Sequence, residues 1–155
     1  MCADGTPRSS QGVPSQLTAS SPILRSMNES NRVLVVDDEP DARNLIARIL
    51  RTCHADVMTA ASMEQALDEV RRQPPDVIIS DLGMPEHDGF ELVQAIRALP
   101  ANEGGRVPAV ALSAFARSED RRRAMMCGFQ THVAKPVEPS ELLAVVASLA
   151  GRVGR

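Results

Sequence analysis

The chain of 155 residues has no tryptophan, no tyrosine and three phenylalanines. Single-stranded nucleic acids are held by stacking their bases on aromatic rings, and this sequence offers almost none. It also lacks a basic excess: 17 Lys and Arg stand against 20 Asp and Glu, a formal charge of -3. The electrostatic footprint of a nucleic-acid binder is therefore missing. Cysteine is scarce, with Cys2, Cys53 and Cys127 in neither zinc nor CxxC spacing. An odd, scattered set reads as reduced thiols in a cytosolic protein. Cys53 and Cys127, at helix ends, are expected to be small buried side chains. No apolar run is long enough to span a bilayer, and the N-terminus lacks the basic-then-apolar order of a signal peptide. A cytoplasmic protein with no membrane and no nucleic-acid partner is expected.

What is present is a core: 43% of residues are hydrophobic, and the length suits one domain. Residues 1–30 are rich in Ser, Pro, Gly and Asn without periodicity and read as a disordered tail. Met27 offers an internal start. From Arg32 onward, short apolar runs alternate with amphipathic segments. Strands are expected at Arg32–Val36, near Ala55–Thr59, at Asp76–Ser80, at Ala109–Leu112 and near Thr131–Ala134. Between them lie helices. Ala42, Leu45, Ile46, Ile49 and Leu50 share one face of the first, and Ala66, Leu67 and Val70 face inward on the second. Leu92, Val93 and Ile96 do so on the third, and Leu142, Leu143, Val146 and Leu149 on the last. Pro40 suits a first helical turn. Ser62 with Gln65 forms a capping-box signature, and Ser118 reads as an N-cap with Glu119 and Asp120 near the positive helix end. Five strands alternating with five helices imply a parallel sheet covered on both faces by right-handed crossovers. The domain is expected over 31–151, with a short C-terminal tail at 152–155.

The strands end in chemistry. Asp37 and Asp38 follow the first run and Asp81 the third, so all three acids reach the carboxyl edge of the sheet, where open α/β sheets bind ligands. Three carboxylates there would repel one another without a cation, and oxygen-only ligands suit Mg²⁺. Asp38 and Asp81 are the expected direct ligands, with Asp37 holding a water. Asp81 is also a candidate nucleophile, since a carboxylate can form an aspartyl phosphate. Ser113 and Lys135 end the fourth and fifth strands, where a hydroxyl and an ammonium would meet a phosphoryl oxygen. A cis bond at Lys135-Pro136 would aim the lysine inward.

Four strings, Leu34-Val35-Val36-Asp37-Asp38-Glu39-Pro40, Asp81-Leu82-Gly83-Met84-Pro85-Glu86-His87-Asp88-Gly89, Ala111-Leu112-Ser113-Ala114 and Lys135-Pro136, occur in order. Together they resemble the receiver domain of two-component response regulators over about residues 32–150. The resemblance implies a (βα)5 doubly wound, flavodoxin-like sheet of strand order 2-1-3-4-5. It implies that Asp81 accepts phosphoryl from a histidine kinase's phosphohistidine or from a phosphotransfer protein. Asp38 would bind Mg²⁺ beside Asp37, and the backbone carbonyl of Gly83 would complete the metal site. Ser113 would be the switch hydroxyl, with Ala114 beside it, and Lys135, before Pro136, the phosphate-binding lysine. A downstream protein would bind the face made by the fourth helix, fifth strand and fifth helix.

The chain departs from the pattern at the switch-aromatic position, which is His132. An imidazole can flip inward as a ring does, but it is smaller and titrates near neutrality. The residues alone favour a solvent-facing histidine on an edge strand. The resemblance also implies that the positions of Gly83 and Phe115 tune dephosphorylation, and neither side chain can orient a water. Arg121-Arg122-Arg123 reads first as a solvated basic face, and otherwise as a partner surface. The chain is expected to be either a stand-alone regulator or the receiver of a hybrid kinase, and Leu112-Ser113-Ala114-Phe115-Ala116-Arg117 has the flavour of the latter. A Mg²⁺-dependent phosphohydrolase is the alternative. It would want a second Asp where Gly83 stands, and a cap insertion for its substrate. A flavodoxin-like cofactor binder would want a glycine-rich loop where Asp37-Asp38 stand.

Overall fold

A computed structural model describes residues 31–84, 88–114 and 118–153, with side chains to 150. The predicted tail at 1–30 and Phe115 lie outside the described residues. Strands β1 (Arg32–Val36), β2 (Asp56–Ala60), β3 (Val77–Asp81), β4 (Ala109–Ser113) and β5 (Thr131–Ala134) are all parallel, in the order β2-β1-β3-β4-β5. Helices α1 (Pro40–Arg51), α2 (Met63–Arg72), α3 (Gly89–Arg97), α4 (Ser118–Cys127) and α5 (Pro139–Val153) connect them, with one 3-10 turn at Ala101–Glu103.

Strand side chains alternate between faces, and both faces of the sheet are buried. Val33, Val35, Ile79, Val110, Leu112 and Val133 pack with Ile46 and Leu50 of α1 and Leu142, Val146 and Leu149 of α5. Leu34, Val36, Ile78, Ala109 and Ala111 pack on the other face with Ala66, Val70, Leu92, Val93, Ile96 and Ala124 of α2 to α4. This explains why the strands read as continuous apolar runs. Burying a side chain such as Leu34 stabilises by about 1.5–3 kcal/mol.

Local signals account for most helix starts. Pro40 begins α1, and Glu39 caps it by accepting from the Ala42 N–H. Ser62 Oγ accepts from the Gln65 N–H, but Gln65 Oε1 accepts from Ala61 rather than from the cap, so the capping box is half formed. The full reciprocal box occurs at α3 instead, between Asp88 and Glu91. Ser118 is the first residue of α4, not the residue before it. Leu45, placed on the buried face of α1, is half exposed. The helix turns Ile46, Ala47 and Leu50 inward, and a small alanine takes the share given to leucine. Strands β2 and β3 begin one residue later than their sequence patterns suggest, and Asp81 is the last residue of β3, not the first beyond it.

Candidate functional site

The parallel sheet brings the ends of β1, β3, β4 and β5 to one edge, and four charged side chains meet there. Carboxylate oxygens of Asp37, Asp38 and Asp81 lie within 4.8 Å of one another. Lys135 Nζ is 3.2 Å from Asp81 Oδ1 and 3.6 Å from Asp37 Oδ2. Lys135 extends from the end of β5 through a cis bond to Pro136, and its N–H donates to the Ser113 carbonyl at 2.8 Å. This continues the β4–β5 ladder to the site. Ser113 is buried at the same edge. Ala114 and Gly83 are exposed there, and a side chain at Gly83 would meet nothing within 4 Å.

The three acids are not equivalent. Asp37 is 1% exposed. The Glu39 N–H donates to its Oδ1 at 2.9 Å, while its buried Oδ2 accepts no hydrogen bond. Burial pushes its carboxyl above the usual value of 3.8. The Glu39 N–H opposes that, Asp81 adds to it, Lys135 opposes it and Asp38 adds to it. Asp81 is nearly buried with a partly open side chain, and Asp38 is exposed. A buried carboxylate oxygen met only by an ammonium at 3.6 Å, inside a cluster whose acids repel one another, is what a divalent cation would relieve. The donor set of oxygens fits magnesium.

Gly89 lies against the end of β3. A Cβ there would sit 2.6 Å from the Asp81 carbonyl oxygen. A bare backbone at the start of α3 lets that helix pack against the residue that ends β3.

His132 departs from the solvent-facing reading. Its backbone lies on the edge strand, paired with Ala111, yet both ring nitrogens are buried and, among the described residues, make no hydrogen bond. Desolvation holds its pKa below the usual 6.5. Arg121 lowers it further and Asp120 opposes. Cys53 is buried as expected, whereas Cys127 is half-buried and its sulfur accepts from Gln94 Nε2 at 3.5 Å. In the basic run Arg121, Arg122 and Arg123 are exposed, but Arg123 lies 4.0 Å over the Phe90 ring and pins α4 to α3.

Two arginines escaped the sequence reading. Arg43 donates to the Asp37 carbonyl at 2.8 Å. Arg97, half-buried at the end of α3, donates to the carbonyls of Gly128 and Gly105 and to Gln130. Neither sits in a motif, and a lone arginine on a helix carries no signal of which carbonyl it will reach.

The comparisons agree with this geometry. The model of the response regulator receiver domain family matches residues 33–147. An uncharacterised 14.6 kDa protein from the sodA1 3' region of Leptolyngbya boryana is 45% identical over 114 residues, 74% of this chain and 86% of that protein. The transcriptional regulatory protein PrrA of Mycobacterium tuberculosis is 37% identical over 125 residues, which is 81% of this chain and 52% of the regulator. Among solved structures, the receiver domain of the sensor histidine kinase PA1611 from Pseudomonas aeruginosa superimposes with a TM-score of 0.71. It is 32% identical, with 78% of this chain and 98% of that one covered. That structure holds a magnesium ion in its active-site cleft.

A five-stranded doubly wound sheet with an acidic cleft at its switch point is the architecture of a phosphorylatable signalling module. The chain belongs to the response regulator receiver domain family. Receiver domains work in two-component systems, where phosphorylation on aspartate is the general mechanism and histidine kinases or phosphotransfer proteins are the partners. Among the described residues no helix is long and apolar enough to cross a membrane.

Proposed function

We propose that this receiver takes its phosphoryl group on Asp81, and that the acidic cluster is its magnesium site. One observation carries the choice of Asp81. It alone of the three acids both contacts Lys135 at 3.2 Å and keeps part of its side chain open. Asp37 is sealed, and Asp38 has no ammonium partner among the described residues.

A carboxylate oxygen of Asp81 attacks the phosphorus of a phosphohistidine. The P–O bond forms as the P–N bond breaks, and the bond's electron pair returns to the imidazole nitrogen, giving an acyl phosphate on Asp81. Lys135 is placed to follow the charge from carboxylate to phosphoryl oxygen, a charge-assisted contact. Bound magnesium supplies charge neutralisation among the carboxylates and the phosphoryl oxygens. Asp38, Asp81 and the Gly83 carbonyl would hold it directly, with Asp37 holding a coordinated water. The new group adds about 1.5–2 negative charges. Ser113, at the end of β4, and Lys135, at the end of β5, are the groups through which that charge biases the elements that follow them. Ala114 and Pro136 flank these two.

The downstream partner is a protein that binds across α4, β5 and α5, in the cytoplasm. A groove of about 320 Å³ lined by Gln130, Thr131, Ala144, Val145, Ser148 and Leu149 supports that face. The chain acts by accepting and losing its own phosphoryl group, not by turning over a substrate. The Mg²⁺-dependent phosphohydrolase alternative finds no acid at Gly83, where only open space lies.

The test is the intact mass of the chain after incubation with Mg²⁺ and a small acyl phosphate, beside an Asp81→Asn control. A single phosphoryl adduct that requires Mg²⁺ and is absent from the control is expected. An adduct that persists in the control overturns the assignment to Asp81. A folded wild type with no adduct overturns the switching function. Gly83 presents no side chain to orient a water, so loss of the adduct should be slow, over minutes or longer; a half-life of seconds would contradict that.

A further inference from the structure

Arg43 is the fourth residue of α1, near the positive end of the helix dipole, where acids are favoured and cations are not. Among the described residues no acid forms an ion pair with it. Its half-buried side chain instead turns back toward the site and donates Nη1–H to the Asp37 carbonyl at 2.8 Å. That carbonyl belongs to the peptide unit joining Asp37 to Asp38.

The two acids are restrained in different ways. Asp37 is fixed through its own atoms. Its N–H donates to the Ala60 carbonyl at 3.1 Å, Glu39 holds Oδ1, and Lys135 faces Oδ2. The exposed carboxylate of Asp38 has no such hydrogen bond among the described residues. Its place in the cluster, within 4.8 Å of the other two, follows from its backbone, and the 37–38 peptide is the part of that backbone Arg43 grips. We infer that Arg43 is a positioning residue for the cation site, clamping the Asp37 carbonyl so that Asp38 is aimed at a divalent ion. The inference rests on the reading of the acidic cluster as a magnesium site.

Electrostatics alone predicts the opposite sign. Removing a cation beside three carboxylates draws a divalent ion in more tightly. Removing a clamp loosens a ligand whose own carboxylate makes no hydrogen bond among the described residues, and weakens binding, as losses of supporting contacts do at metal sites. Mg²⁺ titration by calorimetry, with the backbone amide shifts of Asp38 and Gly83 followed in parallel, reads that sign without any phosphorylation. Arg43→Met keeps the apolar stem and removes charge and donor, and Arg43→Ala makes the same deletion by a second route. Arg43→Lys restores a single donor. Both deletions are expected to weaken Mg²⁺ binding by about tenfold, with the lysine variant within about threefold of wild type and each variant shown to be folded by a cooperative Mg²⁺-free melting curve. Unchanged or tighter binding in either folded deletion, with wild type saturating normally, overturns the role of Arg43 and leaves the site standing. A wild type that shows no saturable Mg²⁺ binding overturns the site, and this inference with it.

Discussion

The carboxyl edge of the sheet is held in two different ways. Around β1 and β3 the strands are sealed on both faces, and Asp37 is tied by Ala60, Glu39, Arg43 and Lys135. Around β5 the covering helix is barely anchored. Of the ten residues of α4, one side chain, Ala124, is buried. The helix is held otherwise by contacts at its edges: Arg123 over Phe90, Gln94 on the Cys127 sulfur, and Arg97 on the Gly128 carbonyl that follows. Next to it the half-buried His132 has both ring nitrogens covered and without a hydrogen-bond partner among the described residues. Charges that must be preorganised lie in the rigid half. A rearrangement costs least where few apolar contacts hold an element in place, and that is the half that borders Ser113 and Lys135.

The comparison is sharpest where the cost of cutting is highest. Leu34→Ala, in the fully buried β1, is expected to lose about 2–5 kcal/mol in denaturant unfolding. A loss under about 1 kcal/mol would mean the first half is no more rigid than the second. Arg97→Met removes charge-assisted bonds to two carbonyls and to Gln130, with an expected loss of about 1.5–3 kcal/mol. Amide exchange should accelerate at residues 128–130 and in α4 while β1 stays protected. Acceleration spread evenly over the sheet would erase the distinction.

Two titrations read the halves separately. Asp37 has a raised folded pKa, so its contribution to stability is present below the unfolded value near 3.8 and is lost as pH rises through the folded one. At neutral pH its ionised form is a burden, and Asp37→Asn should raise the melting midpoint in Mg²⁺-free buffer. A lowered midpoint would show that the ties to Asp37 outweigh its burial. His132 runs the other way. Its folded pKa is lowered, so its contribution is complete above 6.5 and is lost as pH falls from there toward the folded value. His132→Phe should flatten that acid-side decline, which melting curves between pH 5 and pH 7 would register. The smallest effect is expected at Met126, 80% exposed on α4. Met126→Ala should change stability by less than about 0.5 kcal/mol, and a larger loss would mean α4 is anchored after all.

The departures from the sequence reading have physical reasons. Leu45 was grouped with Ile46 and Ile49 by helical spacing, but the stripe that packs is set by where α1 crosses the sheet, and Ala47 lies under it. Gln65 found Ala61 instead of its cap, a difference of one residue that a side chain's reach decides. His132 looked like an edge-strand residue open to water, and it is one by position. Its ring nitrogens are covered where α4 packs on β5, and strand order says nothing about how closely a helix will lie.

The alternation of five strands with five helices, and the position of Asp37, Asp38, Asp81, Ser113 and Lys135 at strand ends, are legible in the order of the residues alone. A parallel sheet leaves no other edge for them to share. Distances, exposures and restraints came only with tertiary structure: that Asp37 is sealed while Asp81 stays partly open, that Lys135 reaches both, and that Arg43 and Arg97 fold back onto particular carbonyls. Periodicity and chain order are local and survive in the sequence. Burial and desolvation depend on how distant elements pack, and a long side chain reaches a carbonyl 31 positions away, as Arg97 reaches Gly128, or one six positions away, as Arg43 reaches Asp37; only the packed chain decides which.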